Sequence, residues 1–219
     1  MELVTSSQKI RKNIIKKIIF TMLSLVVVVI SVTIICLLNS EKIGDWYLDV
    51  KKNPVKSTYW YETNYNRTKN DDVLLKIATS LKLSKDYTRQ KVYYPLIFSS
   101  KNLNENQRQN YIEQYIEAYF YTDDFSGFKA AYKKYSTDLT NNSSVVIPLQ
   151  LVIDDQTIIA SDLKWALDFS NELLETNDNL LIKATLYSQQ ASIYQRLGNN
   201  SQASVLNQKS IQIKDQLLK

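Results

Sequence analysis

Residues 179–218 read NLLIKATLYSQQASIYQRLGNNSQASVLNQKSIQIKDQLL, and this stretch sets the reading of the whole chain. Apolar residues recur at helical spacing on both sides of one break at Gly198. Gly198 stands where a helix C-terminus takes a left-handed residue, and Asn200 is a natural N-cap for the next helix. The break therefore joins two helices, Asn179 to Leu197 and Ser201 to Leu218, into a hairpin.

The same pattern extends toward the N-terminus. Asn70-Asp71-Asp72 opens a helix carrying Val73, Leu74, Ile77 and Leu81 at helical spacing. Asn104 caps a second long helix, Glu105 to Thr122, with Tyr111, Tyr115 and Tyr119 on one stripe. Asp124 begins a third, ending near Asp138 before the loop Asn141-Asn142-Ser143-Ser144, and Asp162 to Glu175 forms another. Residues 145–153, VVIPLQLVI, are rich in β-branched side chains and carry Pro148, so a strand or irregular segment competes with a helix there. Three glycines and three prolines in 219 residues argue against a turn-rich β architecture. The expected fold class is all-α.

The turns between paired helices are periodic. Lys85-Asp86-Tyr87, Asp123-Asp124-Phe125, Ser161-Asp162-Leu163 and Gly198-Asn199-Asn200 start 38, 38 and 37 residues apart. Stacking explains such an interval, because one hairpin alone cannot bury its apolar face. At these positions the chain resembles the tetratricopeptide (TPR) repeat family. Tyr187, Ala191, Tyr194, Gly198, Ala203 and Ser210 match its aromatic, small, aromatic, glycine, small and small positions. Tyr119, Asp124, Phe125 and Tyr132 fit in the second unit, and Asp162, Leu163 and Ala166 in the third. The interval is longer than the family's, three of the four turns lack the glycine, and Pro148 and Asp154-Asp155 fall in the third unit's first helix. A generic helical bundle is the alternative.

The resemblance implies about four divergent hairpins over residues 70–218, with the first helix of each lining a concave groove. The family's groove positions fall on Glu113, Glu117 and Tyr121 in the second unit and on Ser188, Ser192, Gln195 and Arg196 in the fourth. Such a polar hollow would hold an extended peptide or a partner helix.

Far from the repeats, residues 18–38, IIFTMLSLVVVVISVTIICLL, carry no charge. At about 1.5 Å per residue they match a hydrocarbon core of about 30 Å. A cleaved signal peptide would have a shorter apolar region and a small-x-small site, which Leu38-Asn39-Ser40 supplies poorly. The reading is an uncleaved signal-anchor, with lipid around residues 18–38. Residues 1–17 hold Lys9, Arg11, Lys12, Lys16 and Lys17 against Glu2 and form a basic cytoplasmic tail. Residues 39–69 form a juxtamembrane linker whose Trp46, Tyr47, Trp60 and Tyr61 suit the interfacial belt, and Pro54 is expected to interrupt any helix leaving the bilayer. Residues 70–219 form the extracytoplasmic domain, which has no cysteine, since Cys36 is the chain's only one.

Charge and composition exclude more than they identify. The chain carries 27 basic and 22 acidic residues, net +5, but residues 111–219 carry 9 basic against 13 acidic. That distribution argues against a nucleic-acid partner. There is no histidine and no cysteine pair, hence no His-ligated metal and no Cys–His dyad. Asp123-Asp124 and Asp154-Asp155 are adjacent carboxylates that point apart rather than across a substrate. No phosphate loop or nucleophile elbow is present, so neither catalysis nor any cofactor is expected.

These readings converge on a single-pass membrane scaffold or adaptor that binds a protein or peptide of the cell envelope and performs no chemistry. A structural subunit of a secretion, conjugation or division complex fits the same features, as does an immunity or exclusion protein. The Lys-, Asn- and Ile-rich composition is of the kind common in low-GC Gram-positive bacteria.

Overall fold

A computed structural model describes residues 2–100, 103–139 and 143–218. Among the described residues the chain forms eleven α-helices and no strand. It divides into two compact units, Met1–Ser84 and Lys85–Lys219, so the boundary falls at the turn Lys85-Asp86-Tyr87.

In the first unit, α1 (Glu2–Leu38) contains a stretch, Lys16–Leu38, long and apolar enough to cross a membrane. Its polar residues turn inward on their own helix. The hydroxyls of Thr21, Ser24 and Thr33 donate to carbonyls one turn back at 2.9, 3.0 and 2.8 Å. That is how a hydroxyl is satisfied where no water is available.

Residues 39–69, read from sequence as a linker, are mostly helical. They form α2 (Ser40–Asp45), a π-helical turn (Trp46–Val50) and α3 (Pro54–Thr68). The helical run leaving α1 ends at Val50, as expected before Pro54, and Pro54 itself starts the next helix, where the first turn needs no intrahelical N–H. The Asn53 side chain caps it, accepting from the Lys56 N–H at 3.0 Å. Helix α4 (Asp71–Ser84) returns antiparallel to α3, burying Val73, Leu74, Ile77, Ala78 and Leu81. Gly44 lets Tyr61 lie directly on α2, and the Ser57 hydroxyl donates to the Gly44 carbonyl at 2.9 Å.

The second unit comprises α5 (Tyr87–Phe98), α6 (Glu105–Phe120), α7 (Phe125–Leu139), α8 (Ile147–Asp154), α9 (Ala160–Thr176), α10 (Leu180–Arg196) and α11 (Asn200–Leu217). Side-chain caps open several of them. Asn104 and Gln107 form a capping box on α6 at 2.9 and 3.1 Å. On α11 the cap is Asn199, one residue before the expected Asn200, accepting from the Gln202 N–H at 3.2 Å. Gly198 takes φ +82°, the left-handed conformation its position required.

The ambiguous segment resolves as a 3-10 turn (Ser143–Val146) followed by α8. Pro148 stands in the first helical turn, where it breaks no hydrogen bond. Val145, Leu149 and Val152 are fully buried, with α6, α9 and α10 packed around α8. Burial on several sides accounts for a run that shows no amphipathic period. The third turn also differs from expectation. Helix α9 already begins at Ala160, so Asp162 lies in its first turn and the connection is residues 155–159.

One apolar cluster runs from Ile112 and Ile116 on α6 through Phe128 and Tyr132 on α7 to Leu163, Ala166 and Phe169 on α9. Tyr132 is wholly buried, and its hydroxyl donates to the Val145 carbonyl. Two ion pairs brace successive elements: Lys91 Nζ lies 3.4 Å from Asp124 and Lys129 Nζ 2.6 Å from Asp162. Each ammonium also sits over aromatic rings, Lys91 over Tyr119 and Lys129 over Phe125 and Trp165. A smaller cluster of Ala191, Ala203 and Leu206 joins α10 to α11, with Tyr187 and Tyr194 against it.

Candidate functional site

Glu113, Glu117 and Tyr121 succeed one another at four-residue intervals on or just beyond α6 and so share one face. Tyr121 is 47 % exposed and stacks on Tyr87, ring centroids 4.6 Å apart and planes 25° from parallel. Burial raises the Tyr121 phenol above its ordinary pKa, and the Glu117 carboxylate and Tyr87 add to that rise. One turn deeper, Tyr94 meets Tyr111 edge-on and donates to Gln114 Oε1 at 3.0 Å. Its phenol is raised chiefly by burial, then by Tyr111 and Glu117. The face thus carries two carboxylates beside an exposed Tyr121 stacked on a half-buried Tyr87.

Ser188, Ser192, Gln195 and Arg196 lie on α10 and do not form one kind of surface. The Ser192 hydroxyl donates to the Ser188 carbonyl at 3.2 Å, and Gln195 is exposed. Arg196 is committed to the fold. Its guanidinium donates to the carbonyls of Val152 (3.0 Å), Ile153 (2.7 Å) and Ile158 (3.2 Å), bracing the end of α8 and the chain after it. A helix that ends without a glycine leaves carbonyls exposed, and here a side chain from another helix supplies the donors. The α6 set and the α10 set stand on separate helices, both packed against α8.

The first unit holds a polar cluster that sequence reasoning passed over. Lys76 Nζ reaches Glu41 Oε1 at 2.8 Å and Asp45 Oδ1 at 2.8 Å, while the Tyr61 hydroxyl donates to the same Asp45 oxygen at 2.7 Å. Burial opposes the charge on Lys76, but hydrogen bonds to Asp45 and Glu41 hold its pKa above the ordinary value. Burial likewise opposes the charge on Asp45, and the Lys76 and Tyr61 donors outweigh it to keep that carboxyl low. The Tyr61 phenol is pushed up to about 12 by burial and by Asp45. An open cleft of about 460 Å³ lies beside this group, bordered also by Leu48, Leu75 and Thr79. Every charge in the cluster has a partner, which suits a joint more than a reactive centre. The acids lie thirty-odd residues before Lys76, so no local motif announces it.

Among the described residues, no group of three or more His, Cys, Asp or Glu side chains converges as a metal site would require. The architecture defines a class: among the described residues, an all-helical chain with one N-terminal helix long and apolar enough to cross a membrane and two compact helical units. No protein-family model, curated protein or solved structure matches it.

Proposed function

We propose that this chain is a membrane-anchored, extracytoplasmic scaffold or adaptor that captures a protein or peptide through a TPR-like helical domain, without catalysis. The observation carrying this reading is the repeated brace. Lys91 on Asp124 and Lys129 on Asp162 are one arrangement shifted by 38 residues, from 91 to 129 and from 124 to 162. Each lysine reaches forward to an aspartate at or near the start of a later helix, and each ammonium lies against aromatic rings, Lys91 against Tyr119 and Lys129 against Phe125 and Trp165. Such recurrence is expected of hairpins stacked in one sense, whereas a generic bundle has no reason to repeat it.

Anchoring in this reading rests on Lys16–Leu38, and a cytoplasmic N-terminus rests on the basic cluster before it. The capture surface is the α6 face of Glu113, Glu117 and Tyr121, with Ser188, Ser192 and Gln195 contributing from α10. Arg196 serves as the brace that holds α8 behind them. Partner recognition there would use the tyrosine rings for contact area and the carboxylates for orientation.

The test is crosslinking in intact native cells followed by affinity purification. The full chain is compared with an E113A/E117A/Y121A variant and with a chain whose residues 18–38 are replaced by an unrelated anchor. The adaptor reading expects the α6 variant to lose partner capture and the anchor exchange to keep it. The opposite pattern transfers the contact to the membrane helix and makes the chain a subunit of a membrane complex.

A further inference from the structure

A second site lies just past the α6 face, where the turn after α6 meets the chain joining α8 to α9. Helix α8 stops at Asp154, and residues 155–159 cross as irregular chain before α9 begins. The gap is a cavity of about 210 Å³ whose apolar walls are Phe120, Phe125, Ile158 and Ile159. Ile159 is 63 % exposed and so lies open to a side chain entering from outside.

Three carboxylates stand at the cavity, and two are already engaged. Asp155 Oδ1 accepts from the Thr157 N–H and hydroxyl at 2.8 and 2.7 Å, and Asp162 holds Lys129 at 2.6 Å. The third, Asp123, is exposed and has no side-chain partner among the described residues. The nearby cations are already engaged, Lys129 on Asp162 at the cavity itself and Arg196 on the carbonyls of Val152, Ile153 and Ile158, and neither pairs with Asp123.

We propose that this cavity receives a lysine side chain presented by a partner protein, with its stem against the four apolar walls and its ammonium on Asp123. The volume selects a side chain over a cofactor, since small-molecule sites begin at about 300 Å³. The layout selects lysine among side chains: an apolar trough ending at an uncommitted carboxylate matches a flexible methylene stem ending in a point charge. Glutamate would face Asp123 with like charge, and norleucine would leave that carboxylate unanswered. Glu113 and Glu117 do not line the cavity, so its fate and that of the capture surface are separable through them.

The experiment uses the full chain in detergent micelles and saturation-transfer NMR with the capped peptide Gly-Gly-Lys-Gly-Gly. Matched peptides carrying norleucine or glutamate in place of lysine are the controls. Saturable transfer to the lysine methylenes is expected. D123N should weaken it about threefold, as for an exposed ion pair, and added salt should do the same. Asparagine tolerates the left-handed backbone that residue 123 adopts at φ +55°, so this variant keeps the turn. E113A/E117A, which leaves Tyr121 on the Phe120 wall, should leave the binding intact. Equal binding of norleucine and lysine would overturn the assignment in favour of a merely apolar cavity. So would an unchanged affinity in D123N, or no saturable transfer at all.

Discussion

Arg196→Met removes the guanidinium that braces α8 while keeping an unbranched apolar stem in its place. Three hydrogen bonds are lost, at 3.0, 2.7 and 3.2 Å, all from one charged donor to backbone carbonyls. Bonds to a charged group contribute about 1.5–3 kcal/mol each when well buried. Arg196 is only partly buried, and its carbonyl partners regain water once it is gone. About 1 kcal/mol per bond is the better scale, so the variant should lose about 2–3 kcal/mol. For a unit of this size that corresponds to a fall in Tm of about 10 °C. Arg196→Lys should recover part of the loss, because a single ammonium cannot span three carbonyls held in a fork. The assay is urea and thermal unfolding of the full chain in a W46F/W60F background. Trp165, stacked on Phe169 at 5.5 Å, then reports the second unit alone. An unfolding free energy for R196M within about 0.5 kcal/mol of its parent would refute the bracing role and return Arg196 to the candidate capture surface.

Two further outcomes are expected in the first unit. Gly44→Ala should destabilise it by about 1–3 kcal/mol despite alanine's better helix propensity, as in an overpacked core. The added Cβ would stand 2.5 Å from Tyr61 Cε1, and that ring is buried with its hydroxyl tied to Asp45, so denaturant unfolding of G44A against the parent measures the conflict. Alkaline pH should also weaken the fold, and the sign comes from Tyr61. Its phenol ionises near 12 in the folded chain against 10.0 when unperturbed, so above about pH 10 the unfolded chain releases its proton first. The stability due to this group is therefore complete below about pH 10 and lost as pH rises toward the folded value. Thermal melts across that range, with tyrosinate absorbance monitored alongside, should show melting fall before Tyr61 ionises in the native state.

The features legible in the sequence are local ones. The uncharged run at residues 18–38, the cap at Asn104 and the turn at Gly198 each depend on neighbours a few residues away, and all reappear in the helices. Pro54 marks both the break after Val50 and the start of α3, and only the Asn53 cap reveals the second. Residues 145–153 are ambiguous in sequence because their burial among α6, α9 and α10 is a tertiary fact that removes the usual polar face. The role of Arg196 is out of reach for a similar reason. Its partners lie 38 to 44 residues earlier, and nothing near it marks the unsatisfied carbonyls at the end of α8. The polar cluster of Glu41, Asp45, Tyr61 and Lys76 likewise exists only once α2, α3 and α4 are brought together.

The junction just past α1 has a mechanical consequence. Backbone hydrogen bonds continue across the change from α1 to α2, Asn39 to Ile35 at 3.1 Å and Ile43 to Asn39 at 3.0 Å. Ser40 is fully buried, and Gly44 is clasped by Tyr61 only six residues beyond Leu38. For a chain anchored as proposed, there is no slack leash between the bilayer and α3. Membrane helices answer a change in bilayer thickness by tilting, at a cost of fractions of a kcal/mol per ångström. Here such a tilt would be handed directly to α3 and α4, so the lipid composition around α1 would set the angle at which the first unit stands on the membrane.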